Sequence, residues 1–142
     1  MSTKAVGPPT SSTGSPTSPD AHYRESLAAG RVMVQQCTNG HSVFPPRPIC
    51  PRCHDTALTW LETSGNGTVY STTTITPRGS SPYAIVLVDA EEGHRLMSRI
   101  DGPEALTVQI GDRVSLEARA LSEGAEMLPL VTRVDPTSGD VA

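Results

Sequence analysis

From residue 58 onward the chain alternates apolar and polar positions with a period of two, the spacing that sends successive side chains to opposite faces of a β-strand. The segments with this pattern are LTWLET, TVYSTTTIT, YAIVLVDA, GHRLMSRI, DRVSLEARAL and MLPLVTRV. YAIVLVDA is a nearly continuous apolar run and predicts a strand buried on both faces. SGNG, after the first segment, is a strong turn signal. This part of the chain is therefore predicted to be all-β.

Five or six short strands separated by Gly, Pro and acidic turns favour a five-stranded Greek-key barrel of the OB type over residues 57–134. A small β-sandwich of another topology is the alternative. Upstream, AHYRESLAAG predicts a short helix with Asp20 as its N-cap and with Tyr23 and Leu27 on one face. RVMVQQ then predicts a strand, so residues 20–36 form a helix and a lead-in strand.

The two ends of the chain lack such patterns. Residues 2–19 contain only Ser, Thr, Pro and Gly apart from Lys4, Ala5 and Val6. A segment of this composition cannot bury enough apolar surface to offset the entropy lost on ordering. Residues 1–19 are therefore predicted to be a disordered tail, and residues 135–142 a short C-terminal tail.

Charge is unevenly distributed along the chain, whose net charge is −4. Residues 1–36 and 37–55 each carry +1, whereas residues 56–142 carry six arginines against twelve acids. An acidic barrel disfavours nucleic-acid binding, which gains affinity by neutralising phosphates. The sequence contains neither a membrane-length apolar run nor a signal-peptide pattern. We expect a cytoplasmic protein whose three cysteines serve as thiolate ligands rather than in disulfides.

Those cysteines indicate a metal site in residues 37–56. Cys50 and Cys53 are separated by two residues, which lets both sulfurs reach one ion from a tight turn, and Cys37 lies at the usual distance for a second such turn. Gly40 stands where that second turn would have its other cysteine. His41, one residue further on, completes a three-cysteine, one-histidine zinc site. Such a site is structural, because nothing nearby supplies the open position and general base of a catalytic zinc.

Two other interpretations of this segment remain open. In the first, the ribbon has lost its metal and keeps its fold by packing alone. In the second, His54, which directly follows Cys53, is the fourth ligand. Adjacent ligands on one strand rarely converge on one ion, which favours His41.

The order of these parts resembles a known family. QQCTNGHSVFPPRPICPRC, Trp60, SGNGTVYS, PYAIVLVDAEEGHRLMSRIDG and IGDRVSLE follow one another as in the acyl-CoA-associated family of rubredoxin-like zinc-ribbon plus OB-fold proteins. The resemblance covers roughly residues 20–134. It implies a non-catalytic accessory subunit of a thiolase-like enzyme (a thiolase, aldolase or acyltransferase), or of a hotdog-fold hydratase, within a hetero-oligomer. The family usually has cysteine at the position of Gly40.

In such proteins the ribbon docks on the enzyme, and three residues of this ribbon are candidates for that contact. Phe44, between Val43 and two prolines, is either an exposed anchor or a cover for the ribbon core. Arg47 and Arg52 either meet acidic partner residues or CoA phosphates, or are solvated surface residues.

Two competing functions remain. As a single-stranded nucleic-acid binder, the barrel would stack bases on Trp60, Tyr70 or Tyr83, although Trp60 and Tyr70 are expected to pack between barrel and ribbon. As an enzyme, it would use His94 with Asp89, Glu91 or Glu92. DAEEGH, however, is typical of a solvated hairpin turn.

Overall fold

The computed structural model describes residues 18–135, and the predicted tails lie almost entirely outside them. Helix α1 spans Pro19–Ala28, as the sequence predicts, but its N-cap is Ser18 and not Asp20. The Ser18 hydroxyl accepts a hydrogen bond from the N–H of Ala21 at 3.1 Å, whereas Asp20 forms an ion pair with Arg24 at 2.8 Å. No helix within the described range is long and apolar enough to cross a lipid bilayer.

Three short strands form the ribbon sheet: β1 (Met33–Gln36), β2 (Ser42–Val43) and β3 (Thr59–Glu62). They are antiparallel in the order β2-β1-β3. Strand β3 comes from the segment LTWLET, which the sequence pattern assigned to the barrel. The alternation identified the strand correctly but carried no information about which sheet it joins.

Five longer strands form the barrel sheet: β4 (Asn66–Ile75), β5 (Tyr83–Ala90), β6 (Arg95–Asp101), β7 (Arg113–Ala120) and β8 (Met127–Asp135). Their order is β6-β5-β4-β7-β8, all antiparallel, and a 3₁₀ turn at Pro103–Leu106 joins β6 to β7. At the seam between β6 and β8, the Ser98 hydroxyl donates to the carbonyl of Pro129 at 2.9 Å. This arrangement is the predicted five-stranded Greek-key barrel.

The barrel encloses an aliphatic core. Twelve buried residues form it: Val69, Ala84, Val86, Val88, Ala90, Leu96, Ile100, Ala105, Val108, Val114, Leu116 and Val131. Alternate residues of β5 are buried in this core, whereas Ile85 and Leu87 lie half-buried on the outer face. The prediction that β5 is buried on both faces was therefore wrong, since the residues of its outer face are only half-buried.

The SGNG segment does not close a hairpin but carries the chain from the ribbon into the barrel. Gly65 has φ +85°, and its carbonyl accepts the N–H of Leu116 at 2.7 Å. A Cβ on Gly65 would lie 2.6 Å from the Leu116 carbonyl oxygen, which only glycine avoids. The connection between β3 and β4 therefore lies directly against β7 at Gly65.

Candidate metal centre and docking surface

Two turns of the ribbon bring four potential metal ligands together. In the first turn, between β1 and β2, the N–H of Cys37 donates to the carbonyl of His41 at 3.0 Å. In the second turn, the N–H of Cys50 donates to the carbonyl of Asp55 at 2.9 Å, and Cys53 lies inside the loop so closed. Both turns expose their ligand atoms toward the same small space between them.

The ligand atoms have the spacing of a tetrahedral zinc site. The Nδ1 atom of His41 lies 3.4 Å from the sulfur of Cys37 and 3.6 Å from that of Cys50, and the sulfurs of Cys37 and Cys53 are 3.6 Å apart. Zn–S bonds of about 2.3 Å and Zn–N bonds of about 2.0 Å require edges of about 3.8 Å between sulfurs and about 3.5 Å between sulfur and nitrogen. All four atoms lie within 4.8 Å of one another, so the donor set fits zinc.

Gly40 has a structural reason to replace the expected cysteine. It has φ +87°, and its N–H donates to the carbonyl of Cys37 at 3.0 Å. This is the left-handed position of a three-residue hairpin loop, where glycine is strongly favoured. The loop is shorter by one residue than the second turn, so the ligand comes from the closing residue, His41, and not from position 40.

His54 is not part of the ligand cluster. Its side chain is exposed, and its N–H donates to the carbonyl of Cys50 at 2.8 Å. The residue has φ +64°, a conformation that bends the chain after Cys53 and carries the imidazole out of the site. The interpretation of His54 as fourth ligand is therefore wrong.

The thiols of the cluster occupy different electrostatic environments. The pKa of Cys53 is lowered to about 6, first by the side chain of Asn39 and then by the backbone N–H of Asp55. Burial raises the pKa of Cys37, which is 4% exposed. The surroundings of Cys53 therefore favour its thiolate, the form that binds zinc, whereas burial disfavours the thiolate of Cys37.

Asp55 ties the two turns together, and the sequence argument missed it. Its carboxylate accepts hydrogen bonds from both the N–H and the hydroxyl of Thr38, and from the N–H of Ala57 at 2.9 Å. These bonds lower the pKa of Asp55, with the Thr38 side chain as the largest cause. The only signal in the sequence is an aspartate two residues after Cys53, a position from which it can cap a turn.

Phe44 lies at the junction of helix, ribbon and barrel. Its ring is half-buried, 5.5 Å from that of Tyr23 and 5.4 Å from that of His94. It packs against the barrel core and against the cluster formed by Tyr23, Leu27, Val32 and Ala118. Neither sequence interpretation describes this position, since Phe44 is not an exposed anchor and does not cover the ribbon core.

The β5–β6 hairpin is part of the same junction. His94 is only 6% exposed, its Nδ1 atom has no hydrogen-bond partner among residues 18–135, and burial lowers its pKa. The Ser42 hydroxyl donates to the Glu92 carbonyl, and the N–H of Ser64 donates to the Glu92 carboxylate at 2.9 Å. The expectation of a solvated turn holds for Glu91 and Gly93, which are exposed, but it was wrong for His94, which packs against Phe44 of the ribbon.

Arg47 and Arg52 are exposed, and neither has an ion-pair partner among residues 18–135. The backbone of Arg47 is nevertheless fixed by Gln35, which is 4% exposed. The Gln35 amide donates to the Arg47 carbonyl at 2.8 Å and accepts the Arg47 N–H at 2.7 Å. The buried side chain of Gln35 thus makes the pair of backbone hydrogen bonds that a neighbouring β-strand would make, and it fixes the loop at Arg47.

The three aromatic residues considered for base stacking all have intramolecular contacts. Trp60 is half-buried, and its ring lies 4.5 Å from that of His22. The guanidinium of Arg95 lies 3.4 Å from the ring centre of Tyr70, and that of Arg99 lies 3.8 Å from Tyr83. Tyr70 is 49% exposed on the barrel, so the expectation that it packs against the ribbon was wrong.

Two family descriptions match consecutive parts of the chain. Residues 24–59 match "ChsH2, rubredoxin-like zinc ribbon domain", and residues 60–119 match "ChsH2, C-terminal OB-fold domain". The boundary at residue 59 lies within β3, three residues after the boundary expected from the sequence. The matches confirm the predicted zinc ribbon and OB-fold.

Similar proteins include a "DUF35 domain-containing scaffold protein" of Pyrococcus furiosus, 33% identical over 107 residues that cover 72% of this chain and 76% of that protein. A protein of the same description from Methanothermobacter thermautotrophicus is 36% identical over 97 residues, which cover 64% of this chain and 71% of that protein. The "3-oxo-4,17-pregnadiene-20-carboxyl-CoA hydratase alpha subunit" of Mycobacterium tuberculosis is 28% identical over 95 residues, 64% of this chain but only 30% of that protein.

Among solved structures, a chain of the "Ltp2-ChsH2(DUF35) aldolase" superposes with a TM-score of 0.68 and 26% sequence identity. The superposition covers 87% of this chain and 98% of that chain. The similarity therefore extends over ribbon and barrel together. The chain belongs to the family of DUF35 domain-containing scaffold proteins, built from a ChsH2-type zinc ribbon followed by an OB-fold domain.

Proposed function

We propose that this protein is a non-catalytic accessory subunit that binds a thiolase-like acyl-CoA enzyme and supports its assembly or its handling of CoA substrates. The observation that carries the proposal is the superposition over 98% of a chain from an aldolase that pairs a ChsH2-type DUF35 chain with Ltp2. The relatives described as scaffold proteins support the same role. The proposed assembly is a hetero-oligomer in the cytoplasm, with an aldolase or thiolase as the partner class.

The proposed absence of catalysis rests on how the chain uses its reactive groups. Cys37, His41, Cys50 and Cys53 together provide four donors, the complete shell of a structural zinc. Zinc held there would cross-link the two turns of the ribbon. His94, the candidate acid–base residue, is 6% exposed beneath the ribbon and therefore does not face a cleft that a substrate can enter.

Relatives described as hydratase alpha subunits indicate a second class of partner enzyme. This chain covers 32% of one from Thermomonospora curvata, "Probable enoyl-CoA hydratase alpha subunit", and 30% of the Mycobacterium tuberculosis protein. The part that those proteins share with this chain is the ribbon and barrel. A hotdog-fold hydratase is accordingly the second proposed partner class, with the hydratase chemistry in that partner.

The test is affinity purification of the tagged full chain from its native host, followed by mass spectrometry and assay of the recovered complex. We expect an aldolase, thiolase or hydratase in near-stoichiometric yield, with acyl-CoA activity that depends on the partner. A chain that purifies alone, or with nucleic acid and no such enzyme, would contradict the proposal. Activity of the isolated chain on an acyl-CoA, lost in His94→Ala, would contradict its non-catalytic part.

A further inference from the structure

All three cysteines of the chain lie in the ligand cluster of the ribbon, and they differ in their access to solvent. Cys37 and Cys50 are buried, with 4% and 0% of their surfaces exposed, whereas Cys53 is partly exposed. We infer that Cys53 is an oxidation site, at which a peroxide generates a Cys37–Cys53 disulfide that expels zinc and replaces it as the link between the two turns. This inference does not depend on the accessory role proposed above.

The first step takes place at Cys53, because oxidation occurs at the sulfur that an oxidant can reach. The thiolate of Cys53 attacks one oxygen of hydrogen peroxide. An S–O bond forms, the O–O bond breaks and hydroxide leaves, so that Cys53 becomes a sulfenic acid. The buried sulfurs of Cys37 and Cys50 are shielded from this step.

Cys37 is the partner in the second step. Its sulfur lies 3.6 Å from that of Cys53, so formation of an S–S bond of about 2.05 Å requires the two sulfurs to approach by about 1.5 Å. The thiolate of Cys37 attacks the sulfur of the sulfenic acid, the S–O bond breaks and hydroxide leaves. Over both steps the two sulfurs lose two electrons to one hydrogen peroxide, whose oxygens leave as two hydroxide ions.

Cys50 is the competing partner, since it lies in the same turn as Cys53. Its sulfur lies 3.6 Å from Nδ1 of His41, and its N–H and carbonyl are both held by backbone hydrogen bonds of that turn. A Cys50–Cys53 disulfide would leave the two turns of the ribbon unconnected. Exchange among the three cysteines selects the disulfide that stabilises the folded ribbon most, and a bond across a longer loop stabilises more. The Cys37–Cys53 pair is therefore favoured.

The disulfide removes two of the four zinc donors. Cys50 and His41 remain, and two ligands are too few for the four-coordinate site that holds a structural zinc. The Cys37–Cys53 bond nevertheless joins the same two turns that zinc would cross-link. The oxidised ribbon thus loses its metal but keeps its turns together.

The test treats the zinc-loaded full chain with a small excess of hydrogen peroxide. A chromophoric chelator measures zinc release, the remaining thiols are alkylated, and tryptic peptides are mapped by mass spectrometry. Trypsin cleaves after Arg52 but not after Arg47, which precedes proline, so Cys37 and Cys50 share one peptide and Cys53 lies on the next. We expect the two peptides to be joined by a disulfide, with Cys50 alkylated, and one zinc to be released per disulfide.

Oxidation of the same chain in denaturant and chelator is the control for the geometry. Without the folded ribbon, closure of the shortest loop costs least entropy, and Cys50–Cys53 should become the main disulfide. Hydrogen exchange supplies an independent measurement. The oxidised, zinc-free chain should keep the protection of residues 33–62, whereas the zinc-free chain held in reductant should lose it. Dithiothreitol followed by zinc should restore the starting state.

Cys50→Ser and Cys37→Ser are a matched pair of variants, because each removes one candidate zinc ligand. Only Cys50→Ser keeps both sulfurs of the proposed disulfide. Peroxide should therefore restore protection of the ribbon in Cys50→Ser and not in Cys37→Ser. Equal behaviour of the two variants would contradict the idea that the disulfide replaces the metal.

The wild-type results decide the assignment even if both variants fail to fold. A Cys37–Cys53 disulfide in a zinc-free, protected ribbon supports the inference. A Cys50–Cys53 disulfide in the folded chain, or oxidation of Cys53 to sulfinic acid without any disulfide, would overturn it. So would full retention of zinc in excess peroxide. A Cys37–Cys53 disulfide in an unprotected ribbon would overturn the claim that the bond replaces zinc.

Discussion

The ribbon and the barrel are stabilised in different ways. The barrel has twelve buried residues in a continuous aliphatic core, whereas the buried cluster of the ribbon consists of Cys37, Val43 and Cys50. Two of those three are candidate metal ligands. A core of this size cannot offset the entropy of ordering some thirty residues, so the ribbon depends on its cross-link and the barrel does not. The comparison predicts that each region can be destabilised separately.

Metal removal should have the largest effect. A strong chelator is expected to unfold the ribbon and to leave the barrel folded, because structural zinc contributes about 10 kcal/mol or more to the folding of small zinc domains. Hydrogen exchange by mass spectrometry provides the measurement: residues 33–62 should lose protection while β4–β8 keep theirs. Cys50→Ser should reproduce the result without chelator. A ribbon that stays protected after verified loss of zinc would support the interpretation that packing alone maintains it.

The second prediction concerns a substitution in the core of the barrel. Ile100 is 2% exposed in the barrel core, and Ile100→Ala should lower the free energy of unfolding by about 2–5 kcal/mol. Urea denaturation gives the value. The folded fraction should still bind one zinc per chain. Ile110, which is 69% exposed, provides the matched control, and Ile110→Ala should change stability by no more than about 0.5 kcal/mol. Equal effects of the two variants would mean that the barrel core is not where its stability resides.

A smaller effect is expected from substitution of Asp55, whose carboxylate connects the two turns of the ribbon. Asp55→Ala removes the acceptor for Thr38 and Ala57, and should lower zinc affinity about 10- to 100-fold, the usual consequence of losing a residue that positions metal ligands. Competition with a chromophoric chelator measures the affinity. Asp55→Asn keeps one acceptor oxygen and should retain part of the zinc affinity. Asp101→Ala, which removes a barrel carboxylate paired with Arg99, should leave zinc affinity unchanged.

Sequence patterns predicted the parts of the molecule that depend on local spacing. Period-two alternation identified all the barrel strands, and the separation of Cys37 from Cys50 and Cys53 placed three ligands in one turn pair. The substitution at Gly40 looked like a loss in the sequence. The structure shows instead a shorter loop, in which φ +87° requires glycine and His41 takes the ligand position. A spacing rule cannot reveal this difference, because it assumes that both turns have the same length.

Contacts between regions distant in the sequence could not be predicted in this way. LTWLET alternates as any half-buried strand does, and nothing in it specifies pairing with β1. Gln35 is an ordinary polar residue until the loop at Arg47 is placed beside it. DAEEGH has the composition of a solvated turn, and nothing in it indicates that His94 is buried against Phe44. In each case the decisive neighbour lies in another element of the fold.

His94 supports the smallest and most specific prediction, on the contact between the two regions. Burial lowers its pKa from the ordinary value of 6.5, and Glu92 partly offsets the shift. Because the folded state then binds fewer protons than the unfolded state, the contribution of His94 is fully present above pH 6.5 and declines as the pH falls below it. Urea unfolding at pH 7.5 and pH 5.5, with zinc content measured in parallel, should show a smaller loss for His94→Phe than for the wild type. His54→Ala, which changes an exposed imidazole, should behave as the wild type does. If His94→Phe loses as much stability on acidification as the wild type, the pH dependence belongs to the ribbon ligands and not to the junction with the barrel.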